Sequence, residues 1–351
     1  MTTGLERLGA AIAGTPADRI PVFCNLLDQG ARELGMPLRE YYAKGEHVAE
    51  GQLRMRERLG HDNVWGLFYV GKEAELLGCR KIRFAEDGPP NVEDFVITCD
   101  ADIARLEVPA DITAHPAFEE QRVCMDILRR EAKGRHAICA YITATMTLPA
   151  LLMGMDRWME LLLLGDPGLR DELLAKCHEF FVKEVRAFRE LGADVIVYSN
   201  PFGSTDFVPR DLFLRRSLPW IERDVRAVGT GGLVYYCGMA RFNSVIDVVR
   251  ERTGIGVWYL SPLDDLAEGK RIIGDTGLTC GVINDIRLVS WTTDEVRHEV
   301  KRMLDIGMPG GRFLFGTGVM PYGIPDANIR TMLEAAYEYG RLGELSARER
   351  G

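Results

Sequence analysis

The stretch "GGLVYYCGMARF", residues 231–242, decides the fold. A short apolar run, Leu233-Val234-Tyr235-Tyr236, ends at Cys237 and Gly238. Apolar residues stand at every position of that run, not at every second one. This is the pattern of a strand covered on both faces, as in the parallel sheets of α/β proteins.

Seven other runs of the same kind lie along the chain. They are "RIPVFCN" (19–25), "NVWGLFYV" (63–70), "HAICAYIT" (136–143), "DVIVYSN" (194–200), "GVWYLS" (256–261), "LTCGVIND" (278–285) and "RFLFGTG" (312–318). Helical periodicity fills the gaps between them. The segment "DPGLRDELLAKCHEFFVKEVRAFRELG" opens on an Asp and closes on Gly192, and "TTDEVRHEVKRMLDIG" opens on Thr-Asp-Glu capping chemistry. Alternating strands and helices predict an α/β chain folded as a (β/α)8 TIM barrel. Residues 72–118 break the repeat. They are expected as an insertion after the second strand, with a β-hairpin around Asp87-Gly88-Pro89-Pro90. The expected organisation is therefore one barrel domain over residues 1–351, with 72–118 inserted within it.

Composition fits that size. The 351 residues are 46% hydrophobic and 27% charged, enough for a large core. A net charge of −9 supplies no basic face, so nucleic acid is not an expected partner. The start "MTTGLERLGAAIAG" is not a signal peptide, and "LLLLGDPG" is too short to span a bilayer, so a cytoplasmic protein with no membrane contact is expected. The eight cysteines form no CxxC pair, which predicts free thiols, most of them buried.

In such a barrel the chemistry sits at the C-terminal strand ends. Those ends carry Asn25, Tyr69, Tyr141, Tyr198, Asn200, Tyr259, Asn284 and Met320 as candidate substrate contacts, with Tyr236, Cys237 and Asp285 as candidate catalytic groups. Tyr198, Asn200, Cys237 and Asn284 are expected to share one cavity. A mouth of aromatic and amide groups suits an uncharged, aromatic small-molecule substrate. The six histidines, His47, His61, His115, His136, His178 and His298, all fall in helices, in the insertion or at strand beginnings. That placement argues against a Ser-His-Asp hydrolase and a His-rich metal centre. No GxxxxGK[ST] loop is present.

Several stretches resemble the uroporphyrinogen decarboxylase superfamily: "PADRIPVF", "GKEAELLGCRKIRFAEDGPP", "LPALLMGMDRWMELLLLGDPGLRDELL", "LGADVIVYSNPFGSTDFVPRDLFLRRSLPWIERDV" and "GTGVMPYGIPDANIRTMLEAAYEYG". The resemblance covers nearly the whole chain and implies the same barrel. It implies one of two chemistries: cofactor-free decarboxylation, or methyl transfer involving a corrinoid protein or coenzyme M, usually with zinc. The decarboxylase's arginine segment is matched here by "DQGARE", where Gln29 and Arg32 agree but Asp28 replaces the first arginine. The methyltransferase branch carries His-x-Cys-Gly at the fifth strand end. Cys237-Gly238 matches it, while Tyr235 takes the histidine position and Val319 that of a second cysteine. Cys237 thus stands where relatives hold zinc, with Asn200, Asp206, Cys280 and Asp285 as candidate further ligands. It is equally readable as a packed thiol. The leading expectation is methyl transfer from a small methyl-ether donor to a corrinoid carried by a separate protein, an O-demethylase half-reaction. Zinc, or a proton from Tyr236 or Asp285, would polarise the ether oxygen. A decarboxylase anchoring carboxylate through Arg32 and Arg287, and a ligand-binding barrel without catalysis, are the alternatives. A homodimer is left open.

Overall fold

The computed structural model describes residues 2–86 and 88–342. Its strands are β1 (Val22–Asn25), β2 (Asn63–Trp65), β3 (Ile82–Arg83), β4 (Asn91–Val92), β5 (Ala137–Thr143), β6 (Val195–Ser199), β7 (Leu233–Tyr236), β8 (Val257–Tyr259), β9 (Leu278–Ile283) and β10 (Phe313–Val319). Eight of them form one parallel sheet in the order β1-β10-β9-β8-β7-β6-β5-β2. Helices cover its outer face, so the molecule is a (β/α)8 barrel. The expected hairpin is present: β3 and β4 pair antiparallel, Ile82 with Val92 and Arg83 with Asn91. Its expected turn residue Asp87 lies outside the described residues.

The last seam, between β1 and β2, closes through a side chain. The Asn63 carboxamide accepts from Cys24 N–H at 2.9 Å and donates to Cys24 C=O at 3.2 Å. It does the work of a peptide group in the missing ladder. The Trp65 indole adds a bond to the same carbonyl at 2.7 Å. All three residues are buried. Asn63→Ala should therefore cost about 1–3 kcal/mol, since a buried N–H is left without an acceptor. A denaturation midpoint equal to wild type would show that the seam does not depend on this amide.

Strand ends differ from the runs read in sequence, and side chains set the difference. The run 63–70 reads as one strand, but β2 stops at Trp65. Beyond it, Glu73 Oε1 takes the Thr143 N–H of β5 at 3.0 Å, a donor that a longer β2 would have used. After β9, Asn284 Oδ1 accepts from Arg287 N–H and starts a 3-10 turn over Arg287–Val289.

Inward residues fill the barrel in layers that include Phe23, Cys139, Val197, Val234, Cys280 and Leu314. The helix Gly4–Ala13 lies across the N-terminal end, where Leu5 N–H bonds Arg135 C=O and Leu8 packs on the interior residues. That end is plugged.

Candidate active site at the barrel mouth

Strand alternation decides which groups reach the mouth. On β7, Val234 and Tyr236 belong to the interior, whereas Leu233, Tyr235 and Cys237 pack in the outer core against the helices. On β6 the interior takes Val195 and Val197, and Tyr198 goes outward.

The inner wall of the mouth is aromatic. Tyr141 and Tyr236 meet edge to face at 5.9 Å, Tyr236 and Tyr259 at 5.5 Å, and the Phe68 ring centre lies 4.3 Å from that of Tyr141. Ser199 Oγ–H donates to the Tyr141 oxygen at 3.0 Å and orients that ring. One layer deeper, the Tyr259 hydroxyl has no partner and borders a cavity of about 20 Å³ lined by Phe23, Trp65, Cys280 and Leu314.

Asp285 brings a carboxyl group to the same end of the barrel, and its charge contributes to raising the Tyr236 phenol. Its carboxylate lies against Gly318 of β10, where a Cβ would stand 2.9 Å from Oδ2. Glycine at 318 therefore makes the room that the carboxylate occupies. Asp285 is 3% exposed and its Oδ1 has no hydrogen-bond partner. Burial pushes its pKa up to about 6, against a smaller opposing pull from the backbone N–H groups of Asp285 and Ile286. The Tyr236 phenol is pushed up by burial and further by Tyr141 and Asp285. Asn25 sits at the end of β1 with its backbone N–H held by Thr317 and its Oδ1 unpartnered. Asp285, Tyr236, Tyr141 and Asn25 thus stand at the ends of alternate strands, β9, β7, β5 and β1, and all but the half-buried Tyr141 are buried; two of the four have an acceptor oxygen to spare. A buried carboxyl that ionises near pH 6 can hold or deliver a proton near neutrality.

The remaining expected contacts are elsewhere, so the expected shared cavity of Tyr198, Asn200, Cys237 and Asn284 is not formed. Tyr198 donates to Asp224 Oδ2 at 2.8 Å, in a knot with Thr145 and His178 behind the sheet. Tyr69 donates to Glu75 beside Lys72 and meets Tyr42 and Phe84 edge to face, toward the hairpin. Asn284 caps the turn after β9. The Met320 side chain packs in the outer core, and its carbonyl accepts from Gln29. Arg32 donates to the carbonyls of Tyr322 and Ile324, so it tethers a loop instead of presenting a free cation to a carboxylate. Phe68, Ser199 and Gly318 are contributors the sequence did not single out. Only alternation along β6 and β10 hints at the last two.

Cys237 is sealed. Its thiol is fully buried, 4.0 Å from the Gly203 carbonyl, and Tyr235 O–H donates to that same carbonyl at 2.9 Å. Asn200 accepts from Thr147 Oγ1–H at 3.2 Å and lies against Gly203. A Cβ at 203 would stand 2.8 Å from the Tyr235 hydroxyl, so the turn Pro201–Gly203 is pressed down on this pair. Burial pushes the Cys237 thiol far above its ordinary range, although Tyr235 opposes this. Among the described residues no three His, Cys, Asp or Glu groups converge as a metal site. Asp206 is held by Arg241, Cys280 lies in the lower interior layer, and Asp285 rests on Gly318. These residues do not fit zinc, which takes at least three protein ligands.

Comparison with known proteins agrees with this architecture. The sequence matches the family described as uroporphyrinogen decarboxylase (URO-D) over residues 3–339. The chain belongs to the uroporphyrinogen decarboxylase family. Its relatives include methylcobamide:CoM methyltransferase MtaA of Methanosarcina barkeri, 24% identical over 95% of this chain and 97% of that protein. Methylcobamide:CoM methyltransferase MtbA of Methanosarcina acetivorans is 24% identical over 96% of this chain and 98% of that protein. A solved methyltransferase from Methanosarcina mazei superposes with a TM-score of 0.84 at 21% identity, covering 97% of this chain and 99% of that one. The relatives thus lie in the corrinoid methyltransferase branch of the uroporphyrinogen decarboxylase family. Among the described residues no helix is long and apolar enough to cross a membrane.

Proposed function

We propose that this chain is a corrinoid-linked methyltransferase that takes the methyl group of a small, aromatic methyl ether and delivers it to a corrinoid held by a separate protein. The relatives' activities support methyl transfer on a cobamide. The observation that carries the donor is the Asp285 carboxyl, buried, unpaired at Oδ1 and resting on Gly318, at the same end of the barrel as the rings of Tyr141 and Tyr236.

The chemistry follows from the leaving group. An ether oxygen departs from methyl poorly unless the charge it gains is neutralised. The corrinoid supplies the electron pair that takes the methyl group. This chain's residues do the rest. Tyr141, Tyr236 and Phe68 give faces and edges against which an aromatic ring packs. Asn25 and Tyr236 offer polar contacts that orient the ether. Asp285, protonated below about pH 6, gives its proton to the departing oxygen, which leaves as a neutral hydroxyl compound.

The test is direct. The protein is incubated with free cob(I)alamin and a panel of methoxyphenols, and both the loss of reduced cobalamin and the release of the demethylated phenol are followed. Equal amounts of both products are expected. Absence of transfer from every ether, together with transfer from methanol or a methyl thioether, would overturn the donor assignment. Absence of transfer from all of them would favour a barrel that binds without reacting. The decarboxylase reading loses one of its two carboxylate anchors, because Arg32 is engaged by two carbonyls.

A further inference from the structure

We propose that this chain works without a thiolate-held metal, because the position is closed by a hydrogen-bonded plug of Asn200, Gly203, Tyr235 and Cys237, and that its second substrate is accordingly not a thiol. The second half rests on the methyltransferase reading above. The first half stands on geometry alone.

Three observations carry it. First, Tyr235 and Cys237 both point behind the sheet, and both meet one acceptor, the carbonyl of Gly203. A carbonyl that receives an O–H and faces an S–H fills the space a metal would need between them. Second, Gly203 has no room for a side chain, since Asn200 and the Tyr235 hydroxyl already touch the position a Cβ would take. The turn is therefore packed onto the pair and not suspended over an empty site. Third, the carboxylates nearest the plug are spoken for. Asp206 accepts from the Arg241 N–H at 2.7 Å, and Asp264 accepts from the Phe242 N–H at 2.9 Å. A phenol in the ligand position is also a weak donor to zinc, since its ordinary pKa is about 10.

The consequence concerns activation. A thiol becomes a good methyl acceptor as the thiolate, and a bound metal or nearby cation is what generates it near neutral pH. The plug leaves no room for such a metal at Cys237. The polar chemistry of this barrel is instead in the mouth, on the other face of β7, where Tyr236 and Asp285 are. That arrangement serves a donor whose departing oxygen takes up a proton. In balance, the C–O bond breaks, the methyl group goes to the cobalt electron pair, and the Asp285 proton ends on the oxygen.

The test separates the two halves. Wild-type protein is titrated with zinc at neutral pH by calorimetry and its metal content is measured after dialysis. No stoichiometric binding is expected, and 1,10-phenanthroline should leave any methyl-transfer rate unchanged. One zinc held per chain overturns the proposal. The Cys237→Ser variant then tells how: zinc lost with the thiol means the plug opens to metal, and zinc retained means another residue set holds it. Replacing the ether by 2-mercaptoethanesulfonate with methylcobalamin reads the second half, and rapid thiol methylation overturns it. If no donor or acceptor reacts at all, the methyltransferase reading fails while the zinc result still decides the plug.

Discussion

Asp285→Asn should lose about 10²- to 10⁴-fold in methyl-transfer rate, the usual worth of a positioned proton donor, while the folded protein becomes more stable at neutral pH. The two effects have one cause. In the folded chain the Asp285 carboxyl ionises near pH 6, against an ordinary value of 3.8, because burial disfavours its charge. The folded state therefore binds the proton more tightly than the unfolded state does. The cost of keeping the carboxylate ionised is fully present above about pH 6 and disappears below about pH 4. A rise of that size corresponds to roughly 3 kcal/mol at about 1.4 kcal/mol per unit, an upper figure because asparagine brings polar atoms of its own. Unfolding measured at several pH values should show the variant's advantage above pH 6 and its decline toward pH 4. The wild-type rate should fall as pH rises above about 6, tenfold per unit, as the proton donor is lost. A variant that is slow but no more stable would mean that burial does not penalise the carboxylate. A variant of normal rate would remove Asp285 from the chemistry.

Much of this site is legible in the sequence. The strands of the barrel are buried on both faces, and such strands are apolar along their whole length, so their existence stands out. Asn25, Tyr141, Tyr236 and Asp285 follow from asking what stands at the strand ends. Facing is what the sequence conceals. In "LVYYC" every residue is at home on either side of the sheet, and a shift of one residue exchanges the two faces. Tyr236 looks into the mouth and its neighbours Tyr235 and Cys237 look away. Nothing in that run says which way round it is, and the family's cysteine position draws attention to the wrong face. The end of β2 and the β1–β2 seam are equally hidden, because Glu73 and Asn63 set them through contacts with Thr143 and Cys24, 70 and 39 residues distant. So is the room for Asp285, which a glycine on the neighbouring strand provides.

The closed end of the barrel carries the second large expectation. Asp62→Ala should destabilise the fold by about 3–5 kcal/mol, the range for removing one partner of a buried ion pair. The Asp62 carboxylate is fully buried and accepts four hydrogen bonds: Arg7 Nη1 at 2.9 Å, Arg19 Nη1 at 2.6 Å, Arg19 Nη2 at 3.0 Å and Val22 N–H at 2.8 Å. These donors come from three separate pieces, the plugging helix Gly4–Ala13, the entry segment before β1, and β1 itself. Alanine would leave two guanidinium groups, each only 12% exposed, without their shared anion. Arg7 keeps Asp18, but Arg19 keeps the carbonyls of Ile20 and Gly60 and the face of the Tyr337 ring, with no anion. Removing one charge here leaves Arg19 with no anion and Arg7 with one of its two. Asp62→Asn, which preserves shape and an acceptor but not charge, should fall between the two proteins. Thermal unfolding of the three checks the order. Because the latch lies at the N-terminal end and Asp285 at the mouth, loss of Asp62 should lower stability with little change in rate per folded molecule. An equal loss of rate would mean that the plugging helix also shapes the mouth, through the interior layers that connect Leu8 to Tyr259 and Tyr236.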